Sequence, residues 1–133
     1  VHDLFMNHID KFQLIHEVNN YLFSHAGVYL EWTKKYEITL RELFDFKKFL
    51  EGRWNTLEDV SYTRGGWNKV GSCVWADIRE SVGNELPVMF KKQIVGHTQM
   101  ESKPYITSRI ACLDVRQCFI LDTETDEIMG IDA

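Results

Sequence analysis

Two short apolar runs in this chain end on a histidine set among small residues. They are "NYLFSHAGV" over residues 20–28 and "QIVGHT" over residues 93–98. Each is bounded by Asn or Gly and is too short for a helix, which reads as a buried strand running out into a turn. In layered α/β proteins ligands gather where strands end in loops, because backbone and side chains there face a crevice. Neutral imidazole is the commonest protein ligand for Zn, Mn and Fe, and a neighbouring glycine lets a substrate or a second metal approach the backbone. His25 and His97 are therefore the candidate site. The opposing reading is that each histidine only caps its strand and hydrogen-bonds a carbonyl.

The rest of the chain supplies a mixed α and β domain, with strands outnumbering helices. "VHDLFMNHID" opens on an amphipathic pattern that predicts a helix ending near Lys11, and it places the start of the chain inside a longer one. "FQLIHEV" and "YLFSHAG" flank Asn19-Asn20, a two-residue hairpin signal. "TLRELFDFKKFLEG" carries Thr39 and Glu42 at capping-box spacing, with Gly52 as the expected stop. Residues 53–72 are turn-rich and read as a long loop, followed by "SCVWADIRE" as a short ordered segment. "YITSRIACLDV" and "QCFILDT" predict antiparallel strands, with "TETD" as a turn.

A length of 133 residues fits one domain with a real core, and 44% apolar with 26% charged residues is a globular composition. The net charge of −5 argues against a general nucleic-acid binder, which needs a basic face. No apolar run approaches the roughly 20 residues that cross a bilayer. Cys73, Cys112 and Cys118 are odd in number and fit no metal spacing, so they read as small core residues of a reduced, cytoplasmic protein.

"YLFSHAGV" followed by "IVGHT" resembles the second half of the calcineurin-like metallophosphoesterases, the superfamily of serine/threonine protein phosphatases and bis(5′-nucleosyl)-tetraphosphatases. The intervening "GSCVWADIRE" is similar to that family's Trp-containing tract, and "RIACLDVRQCFILDTETDEI" to the strands that follow it. The match runs from about Phe12 to Asp126. It implies an α/β (α+β) fold: the C-terminal part of a metallophosphoesterase β-sandwich flanked by helices, with a mixed sheet and antiparallel C-terminal strands, as one domain over residues 1–133. By the same resemblance His25 and His97 are ligands of the second of two divalent metal ions (Mn, Fe or Zn). The implied activity is phosphatase chemistry, in which a metal-bound hydroxide attacks a phosphoester or phosphoanhydride of a phosphorylated protein or a nucleotide.

The family's D-x-H, G-D-x-x-D and G-N-H-D blocks do not occur in this sequence. A two-metal centre needs a bridging carboxylate to hold its ions about 3.5–4 Å apart, and two histidines do not supply one. The parent chain is thus the expected enzyme, and these 133 residues alone are expected to be inactive without the missing N-terminal half. "MNHID" is a poor G-N-H-D, because Met6 replaces the glycine and Ile9 intervenes, so His8 and Asp10 are expected to be helix residues and not ligands.

Phosphate needs cations. Arg64 and Arg79 lie between the histidine blocks, where the family supplies a phosphate-binding arginine, and a guanidinium fork suits phosphate oxygens. Cys73 and Arg79 have the C-x5-R spacing of cysteine-dependent phosphatases, but the bulky residues between them hinder a phosphate-wrapping loop and Asp77 would repel a dianion. That chemistry is rejected. Trp67 and Trp75 read as loop packing, and Asp114 and Asp122 as structural strand-end acids. A non-catalytic remnant or interaction module with structural histidines is the alternative class. Loss of neighbouring strands would leave open edges, with "NYLFSHAGV" most at risk of self-association into a homo-oligomer.

Overall fold

The computed structural model describes residues 1–132. A short helix, α1 (His2–Asn7), leads into a 3₁₀ turn over Ile9–Lys11. Only Ile9 of this segment is buried, while Leu4 and Phe5 remain exposed. Phe5 and Phe12 instead cluster with Phe46, with ring centroids 4.7–6.4 Å apart. His8 is exposed, because the helix stops at Asn7 and the backbone at His8 (φ −120°) turns the side chain off the apolar stripe.

Strands β1 (Ile15–Val18) and β2 (Tyr21–Ser24) pair antiparallel across Asn19 and Asn20. Both asparagines hold positive φ, 47° and 70°, the conformation a two-residue hairpin needs to match strand twist. Helix α2 (Leu30–Lys35) follows and was not expected from sequence; it buries Trp32, whose Nε1–H donates to the Thr56 carbonyl at 3.0 Å. Helices α3 (Leu40–Leu43) and α4 (Phe46–Arg53) replace the single predicted helix. The Thr39–Glu42 capping box is present, but the Asp45 carboxylate accepts from Lys48 N–H and starts a second helix there. Gly52 lies inside the last turn of α4 and does not end it.

β3 (Lys92–Val95) runs parallel to β2; β4 (Tyr105–Ile106) and β5 (Ile110–Cys112) form a tight antiparallel pair, and β5 is also parallel to β3. The sheet order is β1-β2-β3-β5-β4. β6 (Cys118–Asp122) and β7 (Glu127–Ile131) form a separate antiparallel hairpin, whose turn is fixed by Asp122 accepting from the Glu124 and Thr125 N–H groups. The architecture is thus mixed α+β, with a mixed five-stranded sheet and a two-stranded one.

Register explains why β2 and β3 carry apolar residues at neighbouring positions, with both faces of β3 buried. Leu22, Gln93 and Ile110 align on one face of the sheet, and Phe23, Ile94 and Ala111 on the other. On the first face Leu22 packs against α2–α4 and the loops through Val28, Tyr29, Trp32, Leu43 and Phe49, while Ile110 packs with Ile78, Val95 and Cys112 in a second cluster. The second packs beneath the β6–β7 hairpin through Leu121 and Ile128. Each fully buried aliphatic side chain contributes on the order of 1.5–3 kcal/mol. Among the described residues no helix is long and apolar enough to cross a membrane.

Candidate functional site

The three parallel strands β2, β3 and β5 end at one rim of the sheet, and the segments that leave them carry the candidate residues. Gly96 N–H donates to the His25 carbonyl at 3.0 Å, which extends the β2–β3 pairing past the strand ends. The buried Gln93 amide pairs with both backbone groups of Val28, at 2.7 and 2.9 Å, and holds the segment after His25 against the sheet. Two residues 72 apart in sequence are thereby brought into contact: His25 Nε2 lies 2.9 Å from His97 Nδ1.

His97 adopts a left-handed backbone (φ 65°), unfavourable for a residue with a Cβ, and this bend aims its ring at His25. Burial, together with the Arg64 guanidinium and His25 beside it, pushes the His97 ring below the usual histidine value. The ring is neutral at pH 7 and so is competent as a ligand. Its Nε2 is buried without a hydrogen-bond partner among the described residues. Trp75, 43% exposed, meets the His97 ring edge-on with centroids 5.6 Å apart and walls one side of the pair. An open apolar groove of 540 Å³, lined in part by Phe23, Phe46, Val74 and Val95, reaches the other side at His25.

The nitrogen separation suits two kinds of bridge. One is a single shared proton. The other is one metal ion, since two ligand nitrogens at about 2.0–2.1 Å and a right angle lie about 2.9 Å apart. The orphaned, buried Nε2 fits a site with unmet polar demand. No described His, Cys, Asp or Glu joins the pair to make a group of three. Asp114, at the end of β5, contributes a negative charge near His97, and its Cβ lies beside Gly96.

Arg64 and Arg79 converge on one carboxylate. Arg79 Nε and Nη2 donate to Asp77 Oδ1 and Oδ2 at 2.8 and 3.0 Å. Arg64 Nε lies 3.2 Å from Asp77 Oδ2, an ion pair without hydrogen-bond geometry, and its Nη2 donates to the His97 carbonyl at 3.0 Å. Burial alone would raise the Asp77 carboxyl, but the hydrogen bonds and charges of Arg79 and the charge of Arg64 hold it below the usual range. Beneath it the buried Glu80 carboxylate accepts from Ser61 and Thr63 hydroxyls, from Gly71 N–H and from Asp77 N–H. The long loop is thus knit together by a buried acid. Asp77 and Glu80 were not singled out from sequence, although D-x-x-E in "ADIRE" is a capping-box spacing and both halves of that box form.

Other candidates fall away from the rim. Cys73 is fully buried and burial pushes its thiol up to about 12, so it is no thiolate nucleophile at neutral pH. Trp67 is 90% exposed and does not pack the loop as expected. Asp122 serves its turn, in line with a structural role. His8 and Asp10 sit on exposed positions at the N-terminal helix and its following turn. No family model matches the chain, and neither does any curated protein or solved structure.

Proposed function

We propose that the rim formed by His25, His97, Arg64 and Arg79 is part of a metal-dependent phosphoesterase centre that acts on a phosphoester or phosphoanhydride. The observation that carries this reading is the 2.9 Å approach of two imidazole nitrogens from separate strand ends, one ring neutral and with an orphaned second nitrogen. The resemblance of "SHAGV" and "VGHT" to calcineurin-like metallophosphoesterases gives the pair its chemical class. His25 and His97 would hold one divalent ion of a two-ion site. The chemistry such an ion supplies when bound is Lewis-acid polarisation of a phosphoryl oxygen.

The chain's own residues do the rest. An arginine donor at the rim orients the phosphoryl group, Trp75 covers one side of the imidazole pair, and the neutral His97 ring offers a lone pair at pH 7. A two-ion reaction would also need bridging carboxylates, which the His25–His97 pair does not itself supply.

Paramagnetic Mn²⁺ titrated into the ¹⁵N-labelled chain tests the reading. The His25 and His97 ring signals should broaden first, at millimolar rather than micromolar metal, since two imidazoles without a carboxylate bind weakly. His25→Ala or His97→Ala should remove the effect. Hydrolysis of a 4-nitrophenyl phosphate ester by this chain with Mn²⁺ should stay at background. Ring signals untouched by metal would leave a proton-sharing structural pair and favour the non-catalytic module. Tight binding of two ions would mean that ligands such as His8 or Asp10 take part.

A further inference from the structure

The side chain of Asp77 is 1% exposed, yet it stands between two guanidinium groups of different exposure, Arg64 at 26% and Arg79 at 66%. Arg64 spends its donors inward: Nη2 meets the His97 carbonyl at 3.0 Å and the Thr98 hydroxyl at 3.5 Å. That hydroxyl in turn accepts from Ile78 N–H at 3.0 Å, so the bend after β3 is pinned to the residue next to Asp77. Arg79 is held through two of its three nitrogens. Its Nε and Nη2 are bound by Asp77 and by the Thr63 carbonyl, while Nη1 makes no hydrogen bond among the described residues and the side chain faces solvent.

We propose that Asp77 is a positioning residue that gives the two arginines different tasks, with Arg64 bracing the left-handed bend at His97 and Arg79 presenting its unbound Nη1 to the anion. This rests on the phosphoesterase reading of the rim and refines it. With Nε–H and both Nη2 hydrogens bound to Asp77 and Thr63, Nη1 is the nitrogen left to donate, and the pinned guanidinium fixes the direction in which it meets a phosphoryl oxygen. Asp77 lowers the net charge offered to the anion, but it fixes the fork, so less freedom is lost when the anion binds. Arg64 has little left to offer a ligand. Its contribution is the geometry of His97.

Arginine Nε–H and imidazole ¹⁵N signals report these tasks separately, with inorganic phosphate as the probe. Phosphate should shift the Arg79 Nε–H signal and leave that of Arg64 in place. Asp77→Asn should move both arginine signals and the His97 ring signals, and weaken the phosphate response of Arg79. Arg64→Lys keeps the charge and leaves the carboxylate in place, so it serves if Asp77→Asn does not fold. It should move the His97 ring signals while the Arg79 response to phosphate persists. Phosphate shifting Arg64 instead of Arg79, or His97 ring signals unmoved in both variants, overturns the proposal. Phosphate moving neither arginine would sink the anion reading of the rim and the task given to Arg79, while His97 ring signals that still respond to both variants would support the Arg64 brace.

Discussion

Gly66 and Gly96 flank the candidate rim, and their surroundings place opposite demands on them. A Cβ built at Gly66 would overlap the Val60 carbonyl, which is backbone and has nowhere to go. Gly66→Ala should therefore destabilise the fold by about 1–3 kcal/mol, read as a lowered urea midpoint. At Gly96 a Cβ would meet only the His25 carbonyl at 3.8 Å and Asp114 Cβ at 4.0 Å, ordinary contacts. Gly96→Ala should leave the midpoint unchanged and Mn²⁺ broadening at His97 in place, because the methyl group meets only those two atoms at ordinary contact distance. A midpoint lowered as much as in Gly66→Ala would show that packing alone requires that glycine. Glu80 is the third residue whose role is set by its contacts. Glu80→Ala orphans the Gly71 and Asp77 N–H groups at about 1–3 kcal/mol each, and the same melts should show a larger loss than in Gly66→Ala.

Among elements, the β6–β7 hairpin is fastened to the main sheet by a polar latch as well as by Leu121 and Ile128. Asp126 accepts from the Tyr21 hydroxyl at 2.7 Å and from Lys92 Nζ at 2.9 Å, while Asn19 donates to the Thr123 hydroxyl at 3.0 Å. Burial pushes the Asp126 carboxyl up, but these two bonds and the nearby lysine charges outweigh it and hold it below the ordinary aspartate value. A depressed carboxyl stabilises the fold above its unfolded value and loses that contribution as pH falls through the folded one. Stability should therefore fall as pH drops below about 4. Asp126→Asn should flatten that part of the profile; an unchanged acid limb would assign it to other carboxylates. The elements themselves were unequally legible in sequence. β2 and β3 stood out through the short apolar runs Tyr21–Phe23 and Ile94-Val95, each followed by a histidine among small residues, and the Asn19-Asn20 turn because few residues tolerate positive φ. α2 was missed because six residues give too little periodicity, and Asp45 was read as interior to a helix when its carboxylate starts a new one. At the rim, the strand-end histidines and their convergence could be read from sequence, because β2 and β3 end side by side on one edge of the sheet. The buried acids holding the arginines depend on loop packing that their capping-box spacing alone does not reveal.

On the scale of the whole molecule, the exposed edges do not lie where sequence placed them. "NYLFSHAGV" forms β2, which is paired on both sides and cannot template another strand. The open edges belong to β1, β4 and both strands of the hairpin. β1 is guarded by His16 and Glu17, both exposed, and β4 is only two residues long. The hairpin is less guarded: "CFILD" and "EIMGI" carry charges only at the turn end, Asp122 and Glu127, and Ile120, Met129 and Ile131 are 51%, 44% and 44% exposed on its outer face. Unprotected edges beside an apolar face favour strand-to-strand association. Sedimentation at micromolar concentration should show association that grows with concentration. Ile120 and Met129 are directly paired, so Ile120→Lys with Met129→Glu places opposite charges across the hairpin, which keeps it formed while making its outer face polar. That double variant should sediment as a monomer with an unchanged circular dichroism spectrum. A wild-type chain that remains monomeric throughout would show that the hairpin's twist and the terminal charges of Asp122 and Glu127 are protection enough.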